Sequence, residues 1–166
     1  MMWLWTDRPR ATYLALFFGA YLGGCGLAAV LGIVPGTNIA IWPPGGMFMA
    51  TLIVAPRKTW PWYIAVGCGA ELLGQIIWYH SPLDAGFIMY LGNALEAAAG
   101  ACLVNRASGR SARLDTLRDV VAFVVIGAGF APLISATVGA ATLSWFHIRS
   151  QTFAEAWPLW WIGDAT

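Results

Sequence analysis

Long apolar stretches alternate with short polar connections along this chain. The first stretch, from about Ala11 to Val34, is long enough to cross a hydrocarbon core of ~30 Å as a helix. Five further stretches follow: about Ile39 to Ala55, Trp60 to Tyr79, Asp84 to Val104, Val120 to Phe146, and a last run that opens near Phe153. The pattern predicts an all-α integral membrane protein, a multi-span helical bundle of about six spans with the last one truncated. We expect residues 1–166 to be a single transmembrane domain that is incomplete at the C-terminus.

The second apolar stretch is interrupted by Trp42-Pro43-Pro44-Gly45-Gly46. Proline lacks a backbone donor and disfavours the helical region for the residue before it, so the helix breaks here. We predict an extended segment over residues 37–42 and a half-helix from Pro44 to about Ala55. The N–H groups of Gly45, Gly46 and Met47 would then be free at the positive end of a helix, where a carboxylate is favoured. The alternative is a kink that only improves packing.

Composition and charge placement indicate a membrane location and an orientation. The chain is 59% hydrophobic and 10% charged, whereas soluble domains carry about a quarter charged residues. The net charge of +1 gives no reason to expect nucleic acid as a partner. Eight basic residues fall on one side of an alternating topology, and Arg149 falls on the other, which predicts a cytoplasmic N-terminus. The eight are Arg8, Arg10, Arg57, Lys58, Arg106, Arg110, Arg113 and Arg118.

Four polar residues lie within the predicted spans, where a charge is costly and is by default a functional hypothesis. At a rise of ~1.5 Å per residue, Glu71, Asn93, Glu96 and Asp164 all come near the membrane midplane, level with the helix break. Asn93 and Glu96 share a helical face. The alternatives are protonated acids that only bridge helices, a simple interhelical seam, and an Asp164 that caps its helix.

The spacing of the other polar and sulfur-bearing residues indicates no catalytic or metal-binding site. The cysteines lack metal-ligand spacing and are predicted to be small buried hydrophobes. His80 and His147 map to the outer surface without a spacing typical of a metal site. Ser135 is predicted to bond back to its own helix, and no nucleophile has an adjacent base. We therefore predict no enzyme activity, no metal and no cofactor within this chain. The cysteines are Cys25, Cys68 and Cys102.

Four segments, in order, resemble the bacterial membrane-associated sensor domains of the first type (the MASE family). Residues 42–46 resemble its WPP-small-Gly element, and Gly92-Asn93-Ala94-Leu95-Glu96-Ala97 is similar to its GNxLEA element. Leu117-Arg118-Asp119-Val120 resembles its basic loop before the next span. Trp157 with residues 160–165 resembles its W-x-x-WW-x-GDA element. The order and spacing fit from Ile41 onward.

The resemblance implies an integral membrane sensory input module of a bacterial signalling protein of the cyclic-di-GMP or two-component type. It implies an inner-membrane location, and it implies about two more spans and a C-terminal signalling domain beyond this chain. Gly45 departs mildly from the family, where Ala or Ser is more common. On the matching motifs, the resemblance points to functional positions at Trp42, Pro43, Pro44, Asn93, Glu96 and Asp164. It supplies no stimulus.

Together these observations lead to a hypothesis for the site. A small ligand, an ion or a lipid group occupies a polar cavity at the midplane, and its binding shifts the packing of the helices. The candidate ligand-binding residues are Trp42, Pro43, Pro44, Gly45, Gly46, Glu71, Asn93, Glu96 and Asp164. A small proton- or cation-coupled transporter or channel fragment is the alternative. A structural assembly module, whose helices associate through their glycine faces, is a third hypothesis. The lipid bilayer is an expected partner, and homodimer formation is an open alternative.

Overall fold

A computed structural model of the chain describes residues 7–31, 41–109, 112, 115–148 and 151–166. These residues form seven α-helices and no strand, which confirms the predicted all-helical bundle. Short 3₁₀ or π-helical segments join some of them, so that the described residues make six helical rods. The helices are α1 (Ala11–Leu31), α2 (Pro43–Val54), α3 (Trp60–Gly74), α4 (Leu83–Ser108), α5 (Leu117–Ala122), α6 (Pro132–Trp145) and α7 (Phe153–Ala165).

Three of the rods are long and apolar enough to cross a membrane. They are α1, α4 and the rod formed by residues 117–145, while α2 is a shorter apolar helix. Large apolar side chains such as Leu16, Val30, Val124 and Phe130 lie exposed on these rods. A water-soluble bundle would bury such side chains, whereas lipid is a favourable environment for them. The helical membrane bundle expected from the apolar pattern is therefore confirmed.

The predicted helix break lies at the start of α2. Trp42 is non-helical (φ −117°, ψ 77°), and α2 begins at Pro43, one residue before the predicted start. Proline at the first helical position is well tolerated because its missing N–H would have no partner there. At ~1.5 Å per residue, the twelve residues of α2 extend about 18 Å, roughly half a span. Of the extended segment predicted over residues 37–42, the part before Ile41 lies outside the described residues.

Two rods contain π-helical turns that were not predicted. Residues 75–79 continue α3 as a π-helix up to His80, which has a left-handed backbone (φ 50°). A second π-helical segment, residues 123–130, joins α5 to α6, and the N–H of Ala131 donates to the carbonyl of Ile126. Pro132 follows directly, and a proline cannot donate to the preceding turn. The predicted spans Trp60–Tyr79 and Val120–Phe146 are thus continuous rods with a locally widened helix.

The fourth rod extends further than the apolar pattern predicted. Helix α4 continues to Ser108 instead of ending at Val104, and Gly109 ends it in the left-handed conformation (φ 71°). The Asn105 side chain explains the extension. It donates to the carbonyl of Ile53 on α2 (3.0 Å) and accepts from the N–H of Ala112 (2.7 Å). The polar stretch predicted from Asn105 to Asp119 is therefore shorter, and within it Arg110 and Arg113, like Arg149, lie outside the described residues.

Helix α4 is central and packs against α2, α3 and α6, whereas α7 packs mainly on α6. An aromatic cluster fills the space between α1, α2, α3 and α4. Phe17 lies 5.5 Å from Phe48 and 5.3 Å from Tyr63 between ring centroids, and Phe48 stacks on Tyr90 at 6.3 Å. Such ring pairs add to the stabilisation from burial alone. This core holds α2 in place, and with it the helix break.

Candidate functional site

The helix break is held by backbone hydrogen bonds on both sides of Pro43. The N–H of Trp42 donates to the carbonyl of Gly163 in α7 (3.2 Å), and the N–H of Gly45 donates to the carbonyl of Trp42 (3.2 Å). The prediction that the Gly45 N–H is free was therefore wrong, because this N–H bonds to the Trp42 carbonyl and closes a turn. The two bonds fix the Trp42 indole beside α7 instead of leaving an open helix end.

A cavity of about 160 Å³ lies beside the Trp42 indole. Its walls come from the helix break, the π-helical end of α3, α4, α6 and α7. Residues of the connections at the α3–α4 and α6–α7 ends also line it, so that it extends towards that end of the bundle. The lining residues are Trp42, Glu71, Gln75, Tyr79, Ser81, Met89, Asn93, Leu143, Ile148, Gln151, Ala156, Leu159, Trp160 and Asp164.

Two lining groups are buried without a hydrogen-bond partner among the described residues. They are the Oδ1 of Asn93, a side chain that is 3% exposed, and the Nε1 of Trp42. A buried polar atom left unpaired costs about 1–3 kcal/mol, and such atoms are rare in folded proteins. Both atoms belong to residues that line the cavity but are themselves buried, so a ligand reaches them only after the side chain rotates.

The carboxyl of Glu71 is buried at one wall of the cavity. The Tyr21 hydroxyl donates to its Oε2 (3.0 Å), and the Gln75 amide donates to its Oε1 (3.0 Å). Gln75 opens the π-helical turn, which widens the helix and brings the Gln75 and Tyr79 side chains into the cavity wall. π-Helical turns occur frequently at functional sites. Glu71 is thus a positioned group, although both of its oxygens already have a protein partner.

The carboxyl of Asp164, on α7, also lines the cavity and contacts Ser135. The two are joined by a short bond of 2.5 Å between Ser135 Oγ and Asp164 Oδ2. Glu96, which is 2% exposed, interacts electrostatically with Asp164 and also faces the Ser135 hydroxyl. Three helices (α4, α6 and α7) thus contribute a cluster of two acids around one hydroxyl.

The Ser135 hydroxyl has two acceptors within hydrogen-bond distance. Its Oγ lies within bonding distance of the Pro132 carbonyl (3.1 Å) as well as Asp164 Oδ2. A hydroxyl has a single proton to donate. The hydroxyl therefore shares its proton between the Pro132 carbonyl and Asp164 Oδ2, which both accept from it. The predicted back-bond of Ser135 to its own helix is therefore present, but the prediction missed its second partner, Asp164.

The tryptophans of α7 are site residues that sequence reasoning missed. Trp160 lines the cavity, and its ring lies so close to Gly139 that a Cβ there would be 2.4 Å from it. The Trp161 indole donates to the carbonyl of Gly129 (2.9 Å) in the π-helical segment. The adjacent Asp164 was the available signal, since an acid beside aromatic rings is unusual in lipid.

The predicted site residues divide into three groups. Trp42, Glu71, Asn93 and Asp164 line one cavity. Glu96 lies behind that wall: a Cβ on Gly45 would be 3.8 Å from its Oε1. The remaining residues of the break do not line the cavity, although they hold Trp42 in position. These are Pro43, Pro44, Gly45 and Gly46.

No group of three or more His, Cys, Asp or Glu side chains in the described part of the chain is arranged to hold a metal ion. His80 and His147 both occupy left-handed turns. The acids of the site come from three different helices, α3, α4 and α7. The arrangement offers instead paired carboxyls, aromatic surface and two unpaired polar atoms.

Comparison with known proteins identifies a family. A search of curated proteins finds no match, and a search of solved structures finds none either. The family model MASE1 matches residues 12–166, which is nearly the whole chain. Its members are membrane-associated sensory input domains that sit in signalling proteins together with output domains. The chain therefore belongs to the MASE1 family and is a membrane sensory input domain, as the four sequence motifs had indicated.

Proposed function

We propose that this domain senses a small polar ligand in the cavity between Trp42 and Asp164, and that its occupancy changes the position of α7. The single observation that carries the proposal is the pair of unpaired buried atoms, Asn93 Oδ1 and Trp42 Nε1, on two side chains that line one cavity of about 160 Å³. Burying these two groups without hydrogen-bonding partners costs free energy. Ligand binding offsets that cost.

The candidate site consists of the cavity residues Trp42, Glu71, Asn93 and Asp164, with Glu96 as a positioning residue. Glu96 acts through Ser135 and Asp164, which it faces, and not through contact with the ligand. The break residues hold the Trp42 indole at the cavity.

Helix α7 is the element through which we expect the signal to leave the site. It contributes Asp164 and Trp160 to the cavity wall, and four hydrogen bonds between described residues hold it to the bundle. These are Ser135 to Asp164, Trp157 to Thr137, Trp161 to Gly129, and the Trp42 N–H to Gly163. A ligand that engages Asp164 competes with Ser135 for its oxygen. The shift is limited to the difference in the ligand's affinity for the two positions.

The orientation is part of the proposal. The excess of basic residues predicts that the N-terminus is on the cytoplasmic face of a bacterial inner membrane. The α3–α4 and α6–α7 connections, towards which the cavity extends, then lie on the outer face. The domain would receive its ligand from outside the cell and transmit to an output domain inside, of the cyclase or kinase type.

The test is made in the complete signalling protein that carries this domain. Asp164→Asn and Glu96→Gln are compared with wild type while the output, cyclic-di-GMP synthesis or autophosphorylation, is followed across candidate stimuli. Couplings between sites are typically worth 1–3 kcal/mol, so we expect the stimulus giving half-maximal output to shift by roughly 5-fold or more.

Asp84→Asn is the matched control, because Asp84 is an exposed acid at the same end of the bundle that does not line the cavity. We expect it to respond as wild type does. If both site variants kept the wild-type response to every stimulus, the cavity would not be the sensory site. Cation flux through liposomes that contain the 166-residue chain would instead support the transporter alternative and contradict the proposal.

A further inference from the structure

We infer that the cavity binds a small organic ammonium ion that also carries a hydroxyl or ether oxygen, such as an amino alcohol. The inference rests on the proposed function, since it names the ligand class of the same site. It is drawn from four properties of the cavity: its charge, its unpaired polar atoms, its aromatic surface and its size.

The charge of the lining favours a cation. Glu71 and Asp164 both contribute carboxyls, and no lysine, arginine or histidine is among the described residues that line the cavity. Glu96 adds a third carboxyl that interacts with Asp164. Acids at this depth are stabilised by protons or by a positive partner. A bound cation supplies that partner, while the Ser135 hydroxyl continues to donate to Asp164 Oδ2.

Once rotated towards the cavity, the two unpaired atoms favour a ligand with both a donor and an acceptor. Asn93 Oδ1 requires a donor, which an ammonium N–H supplies. The Trp42 indole N–H requires an acceptor, and neither an ammonium group nor a metal ion offers one. A hydroxyl or ether oxygen on the same molecule meets that need. A bare inorganic cation would leave Trp42 unpaired, which excludes it as the best fit.

The aromatic surface of the cavity suits an organic cation. Trp42, Tyr79 and Trp160 all line it, and the Trp42 and Tyr79 rings lie 6.0 Å apart between centroids at 56° to each other. Ring faces attract ammonium groups, by about 0.5–2 kcal/mol depending on desolvation. Met89 and Leu159 complete the wall with apolar surface for the carbon chain of the ligand.

The volume matches a small ligand. At about 160 Å³, the cavity is close to the ~150 Å³ cavity that holds a benzene molecule in a well-known engineered protein. The ligand should therefore have roughly six to eight non-hydrogen atoms. Diethanolamine meets the size, charge and hydrogen-bonding requirements. Diethylene glycol has the same shape but replaces the central ammonium with an ether oxygen, so the two form a matched pair of probes.

The test measures the binding of both probes to the 166-residue chain in phosphatidylglycerol nanodiscs near neutral pH, by isothermal titration calorimetry. We expect saturable binding of diethanolamine and binding of diethylene glycol that is at least tenfold weaker. Asp164→Asn and Asn93→Leu should each weaken diethanolamine binding by tenfold or more, whereas Asp84→Asn should leave it unchanged. Hydrogen exchange of α4 shows whether each variant is folded, and the second site variant serves if the first is not.

Three outcomes would overturn the ammonium assignment. Equal binding of the two probes, with loss in Asn93→Leu, would leave a ligand cavity that does not select a cation. Diethanolamine binding that neither site variant weakens would place it elsewhere on the protein or on the lipid. Binding of neither probe would exclude the class, while the signalling test with Glu96→Gln and Asp164→Asn would still judge the cavity independently.

A final arm identifies the source of the ammonium group, which is present in a lipid headgroup as well as in free amines. Nanodiscs that contain phosphatidylethanolamine are compared with those made of phosphatidylglycerol alone. Weaker diethanolamine binding in the first would identify the headgroup as a competing ligand of the same site. Unchanged binding would identify a free amine.

Discussion

Two asparagines on helix α4 show that the surroundings of a residue determine its role. Asn105 uses both ends of its amide, bonding the carbonyl of Ile53 (3.0 Å) and the N–H of Ala112 (2.7 Å). Asn93 is buried with its Oδ1 unpaired among the described residues. The first ties α4 to α2 and to the following loop, and so stabilises the fold. The second contributes no comparable bond, which is the trade of stability for function expected if the cavity has the proposed role.

Replacing each asparagine with leucine should therefore have opposite effects. Asn93→Leu removes an unpaired buried acceptor and should raise the stability of the ligand-free domain by about 1 kcal/mol while abolishing its response. Asn105→Leu leaves the Ile53 carbonyl and the Ala112 N–H without their partner and should lower stability by about 1–3 kcal/mol. Thermal unfolding in detergent measures both. An Asn93→Leu variant less stable than wild type would show that Asn93 has a structural partner.

At the level of helices, prolines and glycines determine how closely the rods approach. Pro43 starts α2 and Pro132 starts α6 after a π-helical segment, so each α-helix begins where a backbone donor is missing. Gly139 lies on α6 against the Trp160 ring, where a Cβ would be 2.4 Å from the nearest ring atoms. An indole is rigid, so this contact leaves no room for a larger residue. The approach of α7 to α6 depends on that glycine.

Gly139→Ala should accordingly lower the stability of the domain. Overpacking of this kind costs about 1–3 kcal/mol, and the variant should melt at a lower temperature in detergent. Gly129→Ala on the same rod is the control, because its Cβ would only reach ordinary contact with the Val124 carbonyl at 3.6 Å. That variant should be as stable as wild type or slightly more so, since alanine favours helix over glycine by ~1 kcal/mol. Equal melting temperatures would show that Trp160 moves freely.

For the bundle as a complete unit, the two ends differ in charge. The described basic residues meet at one end, where Lys58 Nζ lies 3.8 Å from Asp7 Oδ2 and the Arg57 guanidinium donates to Cys102 Sγ at 3.3 Å. The exposed Lys58–Asp7 pair adds little stability. Its value here is that it places the N-terminal segment and the α2–α3 connection on the same face. Positive charge at one end favours that end for the cytoplasm.

Reporter fusions test the orientation. Alkaline phosphatase, which is active only outside the cytoplasm, should be active when fused after Ser81 and inactive when fused after Asp115. Green fluorescent protein fused at the same positions should give the reverse pattern and serves as the control. The opposite result would place the N-terminus outside, and the open end of the cavity would then face the cytoplasm.

Much of the fold followed from local chemistry, and less of the site did. The helix break was predictable because Pro43 and Pro44 act on their immediate neighbours. The shared face of Asn93 and Glu96 was predictable from helical periodicity. That Asn93 lines the cavity while Glu96 faces Ser135 was not, since both follow from which helices pack against α4. The Ser135–Asp164 bond likewise joins residues 29 positions apart.

From the order of its residues alone, this protein is a helical membrane domain of the MASE1 family, with a break at Trp42-Pro43 and acids inside its spans. These properties arise from apolar length, proline geometry and the cost of charge in lipid, which act over a few residues. The packing of distant helices decided the rest: the cavity, the partners of each acid, and the two atoms left unpaired. Such features depend on how α3, α4, α6 and α7 meet, and helix packing is a property of surfaces that no single segment carries.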